Sequence, residues 1–234
     1  TNNSNSNSNN LKTFLLNYKI GQIYLEHASF HNAEQSYLIC QDIMNQLVNF
    51  PLDLKFNLFY SLSVCYLKLN NFQTAETFFI DTLMTKIEID KVDTQDMIPI
   101  LLSMIPLYEG LGRSSQVTSI QEIIAFLKEN LQQGIQTTTL LHFLNQIAID
   151  DFTTHHNTHA DHIFQFLISF SKTSLPFDDI TTTRFMNTYG EYVRSFQRYQ
   201  ESLLIHQETV TIRQQLFSSS KIDPLFFAES CNNL

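Results

Sequence analysis

Half of the chain's eight histidines fall in one short run, His155-His156-Asn157-Thr158-His159-Ala160-Asp161-His162. If the run is helical, His155, His159 and His162 share a face at the four- and three-residue spacing that lets imidazoles on successive turns converge on zinc or nickel. Neither a cysteine nor a second ligand cluster accompanies the run, so it reads more simply as a polar turn and helix start with solvated imidazoles. No metal and no cofactor is expected.

Nucleophilic catalysis needs a base held against the nucleophile and a pocket that excludes water. Cys40, Cys65 and Cys231 are odd in number, far apart and mostly set among apolar residues, which fits neither a disulfide framework nor a Cys-x-x-Cys metal pattern. They read as buried, reduced thiols with packing roles. The chain has no Gly-rich phosphate loop and no His-Glu-x-x-His. Asp150-Asp151 and Asp178-Asp179 are sequence neighbours that diverge around a helix, so they read as a helix end and an N-cap. The chain is therefore not expected to be an enzyme.

The elements that must carry any binding surface follow from composition and period. With 234 residues the chain exceeds a typical compact domain, which leaves one large domain, two small ones or an elongated repeat array. It is 43% hydrophobic and 16% charged with only 5 Gly and 5 Pro, ample material for a core and little for sheet turns. A formal charge of −9, from 14 Lys+Arg against 23 Asp+Glu, gives no basic footprint for nucleic acid or an anionic membrane. No stretch approaches the roughly 18–20 apolar residues of a membrane span, and Phe14–Leu16 is too short for a secretory core. No nucleic-acid partner, no membrane insertion and, by default, a cytoplasmic location are expected. Residues 1–10 lack any large apolar side chain and read as a disordered Asn/Ser-rich tail. From Leu11 onward apolar residues recur at helical spacing nearly to the end, so residues 11–234 read as all-α.

An internal repeat organises this helical stretch. Gly21, Tyr24, Phe30, Ala33, Tyr37 and Cys40 align with Ser63, Tyr66, Phe72, Ala75, Phe79 and Thr82, every member displaced by 42. The same step carries Tyr66 to Tyr108 and Ala75 to Val117, and the pattern returns at Gly190, Val193, Tyr199, Ser202, His206 and Thr209. Ala148, Ala160, Phe164 and Leu167 mark a weaker copy between them. Small residues are expected to face small residues where the helices of a pair cross (Gly21, Ser63, Ala148 and Gly190 against Ala33, Ala75, Ala160 and Ser202). The aromatics Tyr24, Tyr66, Tyr108, Phe30, Phe72 and Tyr199 then fill the wedge between pairs. One pair cannot bury such faces alone; a stack can.

This order of small residue, aromatic, turn aromatic, alanine and aromatic resembles the tetratricopeptide repeat (TPR) over about residues 14–234, and the 42-residue spacing resembles the kinesin light chain kind. The most specific stretch is the run from Tyr199 to Arg213, followed by Asp223-Pro224 and by Ala228–Leu234, whose Asn-Asn-Leu resembles the opening of a further repeat. Departures are Pro106 inside the third copy, Gln121 at an aromatic position and Asp151 at another. The resemblance implies a right-handed α-solenoid of about five helix-turn-helix pairs. First helices are expected at 13–27, 53–69, 95–110, 137–151 and 181–195, second helices at 31–48, 73–88, 115–132, 157–172 and 200–217, and a sixth first helix at the end.

The resemblance also implies a concave surface lined by first helices, on which a partner protein or peptide lies. By register that surface carries Tyr18, Gln22, Tyr60, Val64, Leu102, Asn145, Ile149, Asn187, Glu191 and Arg194, with Asn232 and Asn233 at its end. Asn amides both donate to and accept from a peptide bond, and the resemblance implies such a clamp at Asn187, Asn232 and Asn233. Kinesin light chains are associated with acidic cargo peptides, whereas the basic groups here are mainly Arg184 and Arg194, so a neutral or apolar peptide fits as well. Pro106 removes a hydrogen bond to the Leu102 carbonyl and should bend its helix. The reading is a protein-binding scaffold or adaptor. Two rivals are the regulatory or sensor arm of a larger protein, since the chain begins without Met and stops inside a helix, and a structural subunit of a large assembly that exposes Phe226 and Phe227.

Overall fold

The computed structural model describes residues 2–89, 94–129, 133–153, 159–175, 180–218 and 222–233. Eleven α-helices and no strands are present among them, and neighbouring helices pack in pairs. At the first-helix positions of the expected repeat stand α1 (Asn2–Glu26), α3 (Leu52–Lys68), α5 (Thr94–Gly110), α7 (Gln133–Thr153) and α9 (Thr181–Ser195). At the second-helix positions stand α2 (Phe30–Gln46), α4 (Phe72–Glu88), α6 (Ser114–Glu129), α8 (Ala160–Ser174) and α10 (Tyr199–Ser218), and α11 (Pro224–Asn232) follows. The helices expected from the repeat are all present, with ends shifted by a few residues. The largest shift is at the start: α1 begins at Asn2, so most of the stretch read as a disordered tail is helical. Propagation explains how this is possible, because each polar residue added to a helix already nucleated by the packed segment beyond Leu11 gains one backbone hydrogen bond.

Packing divides the chain into two units, Thr1–Leu140 and Leu141–Leu234. In the first, α1 packs on α2, α3 on α4 and α5 on α6, with α2 against α3 and α4 against α5 joining the pairs. First helices also touch one another directly. The Tyr18 and Ser61 hydroxyls share a hydrogen bond of 3.0 Å, and those of Tyr60 and Ser103, each 42 residues further on, share one of 3.3 Å. In the second unit α8 packs on α9, α9 on α10 and α10 on α11. The C-terminal part of α7 meets α9 through His142 on Phe185 and Phe152 on Tyr192, edge to face at 5.6 and 5.5 Å.

The turn within a pair is where the repeat is most regular. Ala28, Asn70 and Gly112 have φ of 56°, 56° and 71°, and Gln197 in the second unit has 61°. The next amide reaches back five residues in every case, Ser29 to the Tyr24 carbonyl (2.8 Å), Asn71 to Tyr66 (3.0 Å), Arg113 to Tyr108 (2.9 Å) and Arg198 to Val193 (3.1 Å). This left-handed cap satisfies the orphan carbonyls at the end of each first helix. Glycine adopts it freely, yet only Gly112 is a glycine. Two of the turns are also pinned from behind by ion pairs at equivalent places. Arg113 donates to Glu76 at 2.8 Å and Arg198 to Asp161 at 3.0 Å.

The small residues work differently from the expectation. A Cβ on Gly21 would stand 2.5 Å from the Tyr37 ring, and one on Gly190 would stand 2.6 Å from the His206 ring. Each glycine therefore makes room for a ring on the second helix. Ser202 does lie close to Gly190, its hydroxyl donating to the Gly190 carbonyl at 2.9 Å. Among the aromatics, Tyr66 and Tyr108 are buried as expected, whereas Tyr199 is 62% exposed at the first turn of α10.

Candidate functional site

The second unit carries a cavity of about 390 Å³ lined by three first-helix positions in strict register, Asn145 on α7, Asn187 on α9 and Glu229 on α11. Successive members are 42 residues apart. Sequence reasoning identified Asn145 and Asn187 but missed Glu229, naming Asn232 and Asn233 one turn further on. Stepping 42 from Asn187 reaches Glu229 directly, three residues before Asn232.

The asparagines have different surroundings. Asn187 Oδ1 accepts from Asn233 Nδ2 at 2.8 Å, which ties α9 to the end of α11. Asn145 Oδ1 is buried and accepts no hydrogen bond, a state that costs about 1–3 kcal/mol for a polar group taken out of water. Asn232 is exposed and does not line the cavity.

The decisive side chain comes from a second helix. Arg213 on α10 is 1% exposed and reaches from α9 to α11. Its Nε donates to Thr183 Oγ1 at 3.1 Å, and its Nη1 donates to the Phe226 carbonyl at 2.5 Å and to Glu229 Oε2 at 3.2 Å. Burial pulls its pKa down from the ordinary guanidinium value, Glu229 pushes it up and neighbouring Arg184 pulls it down again. Arg184 lies over the Phe226 ring at 5.1 Å and Arg213 lies 5.8 Å from the same centroid. Two guanidiniums thus face one carboxylate, and Glu229 is 54% exposed. Thr188 adds a hydroxyl to the lining.

Several of the remaining expected groove residues are engaged elsewhere. Glu191 and Arg194 are on α9 but outside the cavity, where they pair with each other; Glu191 Oε1 also stands 3.3 Å from Nε2 of the buried His206. In the first unit, the Tyr18 hydroxyl donates to the Asn57 carbonyl at 3.3 Å as well as bonding Ser61, and Tyr60 is taken by Ser103. Gln22 is exposed and Val64 half-buried.

Phe226 and Phe227 are not an exposed patch. Phe226 is covered by the two guanidiniums, and Phe227 stacks on Phe217 at 5.5 Å. Cys40 and Cys65 are buried, and desolvation pushes their thiols up to about 12 and 11, which removes thiolate reactivity near neutral pH. Their thiols donate to the Phe14 and Phe30 carbonyls. Cys231, expected to be buried, is exposed on α11, because the packed face of that short helix is the one carrying Ser230.

His155 and His156, central to the possible metal face, lie outside the described residues, as do Asp178 and Asp179. Among the described residues no group of three or more His, Cys, Asp or Glu is placed to hold a metal, and no helix is long and apolar enough to cross a membrane. No family model and no curated protein matches the chain.

Proposed function

We propose that the chain is a protein-binding scaffold, a right-handed α-solenoid of TPR-like helix pairs that takes a segment of a partner protein on the face built by first helices and has no chemistry of its own. One observation carries this reading: a single repeat position delivers Asn145, Asn187 and Glu229 to the same cavity. Side chains of that kind suit an extended peptide, since amides serve both halves of a peptide bond and the 42-residue register presents one such group per helix pair. The four equivalent left-handed turns and the repeated Tyr-to-Ser contacts support a stacked array as the frame. A cytoplasmic location accords with buried cysteines left as thiols.

The test is a pull-down from source-cell lysate with the parent chain beside an Asn145→Ala, Arg184→Ala, Asn187→Ala variant whose helical circular dichroism matches the parent. A partner that is held by the parent and lost by the variant supports the cavity as the anchor. A partner held equally by both removes the cavity from the reading and moves the interface to another face.

A further inference from the structure

The cavity already contains a carboxylate of its own. We propose that the Glu229 carboxylate occupies the place of a ligand carboxylate, so that α11 carries a built-in competitor for the guanidiniums of Arg213 and Arg184. This inference rests on the peptide-binding reading and specifies both the ligand's anchoring group and how the site restrains its own affinity.

Charge and geometry argue for it together. Arg213 is almost fully withdrawn from water, and its contacts with Thr183 and the Phe226 carbonyl leave Glu229 as its one ionic partner among the described residues. That partner is poorly fixed. It sits at 3.2 Å, accepts through one oxygen and leaves half of its side chain in solvent, where an ion pair is weak. Arg184 has no carboxylate partner among the described residues and stacks on the same Phe226 ring. With two cations to one anion, a second carboxylate entering the cavity meets net positive charge in a chain whose overall charge is −9. The amides of Asn145 and Asn187 and the Thr188 hydroxyl line the path by which the backbone behind that carboxylate would leave. Glu229 can swing into solvent at little cost because it is already half there, whereas Arg213 is held by α9 and α11.

The probe is N-acetyl-tetraalanine, once with its free C-terminal carboxylate and once as the amide, titrated into the full chain while the arginine Nε–Hε resonances are followed by NMR. Arg184→Gln supplies the assignment of its own resonance, and both this variant and Glu229→Gln alter exposed groups, so each is expected to fold. The carboxylate form should saturate the Arg184 and Arg213 signals at lower concentration than the amide. Glu229→Gln should tighten the carboxylate form by roughly two- to fivefold, the range set by the loss of a partly exposed ion pair, and leave the amide unchanged. Arg184→Gln should erase the preference for the carboxylate. Equal binding of acid and amide by the parent overturns the proposal and leaves peptide binding standing. Weaker or unchanged binding of the acid by Glu229→Gln also overturns it, making Glu229 a receptor for donor groups or a bystander. Absence of any saturable shift in either protein overturns both this proposal and the cavity's assignment as the peptide anchor.

Discussion

One repeat position is used in opposite ways in the two units. In the first it holds Tyr18, Tyr60 and Leu102, and each tyrosine spans to the next first helix and spends its hydroxyl on a serine there. In the second it holds Asn145, Asn187 and Glu229, which line a cavity of about 390 Å³ with polar groups around it. The backbone frame is alike in both, down to the left-handed turn and the arginine that pins it. The two units thus place different side chains at one repeat position on frames that share the same turn.

The strongest way to break this comparison is to remove the buttress that Arg213 gives the second unit. Arg213→Ala should lower stability by about 2–4 kcal/mol, because charge-assisted hydrogen bonds to Thr183, the Phe226 carbonyl and Glu229 are lost and a void is left. Urea unfolding measures this. A loss below about 1 kcal/mol, the level of an ordinary surface change, would mean that α11 does not depend on it.

Next come the two glycines that both units share. In an exposed helix Gly→Ala gains up to about 1 kcal/mol, but here the added methyl enters a ring, so Gly21→Ala and Gly190→Ala should each cost about 1–3 kcal/mol. Similar costs sharpen the equivalence of the two crossings; a gain at either site breaks it. Adding His206→Ala should restore much of the loss at Gly190 and none at Gly21.

These effects bear on what was readable in advance. The 42-residue step located the helices because glycine, alanine and aromatic residues answer to local packing, which recurs with every pair. It also put Asn145 and Asn187 on one face, and both line the cavity, since register alone decides which first-helix residues share a face. Arg213 was out of reach for the opposite reason: the register assigns second-helix residues to packing, and nothing local shows that a long side chain passes through that layer to reach Glu229. Glu191 and Arg194 share the expected face, pair with each other three residues apart and do not line the cavity. The small-against-small crossing holds between Gly190 and Ser202, but the rings of Tyr37 and His206 against Gly21 and Gly190 were not legible, because residue size specifies a gap without naming the side chain that fills it.

Tyr60→Phe removes the hydroxyl that closes the first unit's surface and should cost about 0.5–1.5 kcal/mol in thermal or urea unfolding. Asn145→Leu in the second unit replaces an amide whose oxygen has no partner, so it should cost nothing or stabilise slightly while abolishing peptide binding. Equal costs at the two places would erase the contrast drawn above.

The smallest expected effect is a dependence on pH at His206 in the second unit. Burial lowers the pKa of His206 below 6.5; Glu191 opposes this and Arg194 adds to it. With the folded value depressed, its contribution to stability is complete above pH 6.5 and declines as the pH falls below that, because the unfolded chain binds the proton more readily. His206→Leu should flatten the slope between pH 6.5 and the onset of carboxylate titration. An unchanged slope would show that the imidazole is neutral in both states or charged in both.

The turns at Ala28 and Asn70 share one backbone conformation and lie one repeat apart, and this has a consequence for chain length. Excising residues 29–70 would join Ala28 to Asn71, placing a residue of the same φ before a residue that makes the same five-residue reach back. The junction is interchangeable, so the gene can lose or gain such a segment without inventing a new loop. Relatives of this chain should accordingly differ in length by whole multiples of 42 residues, with the break points clustering at these left-handed positions.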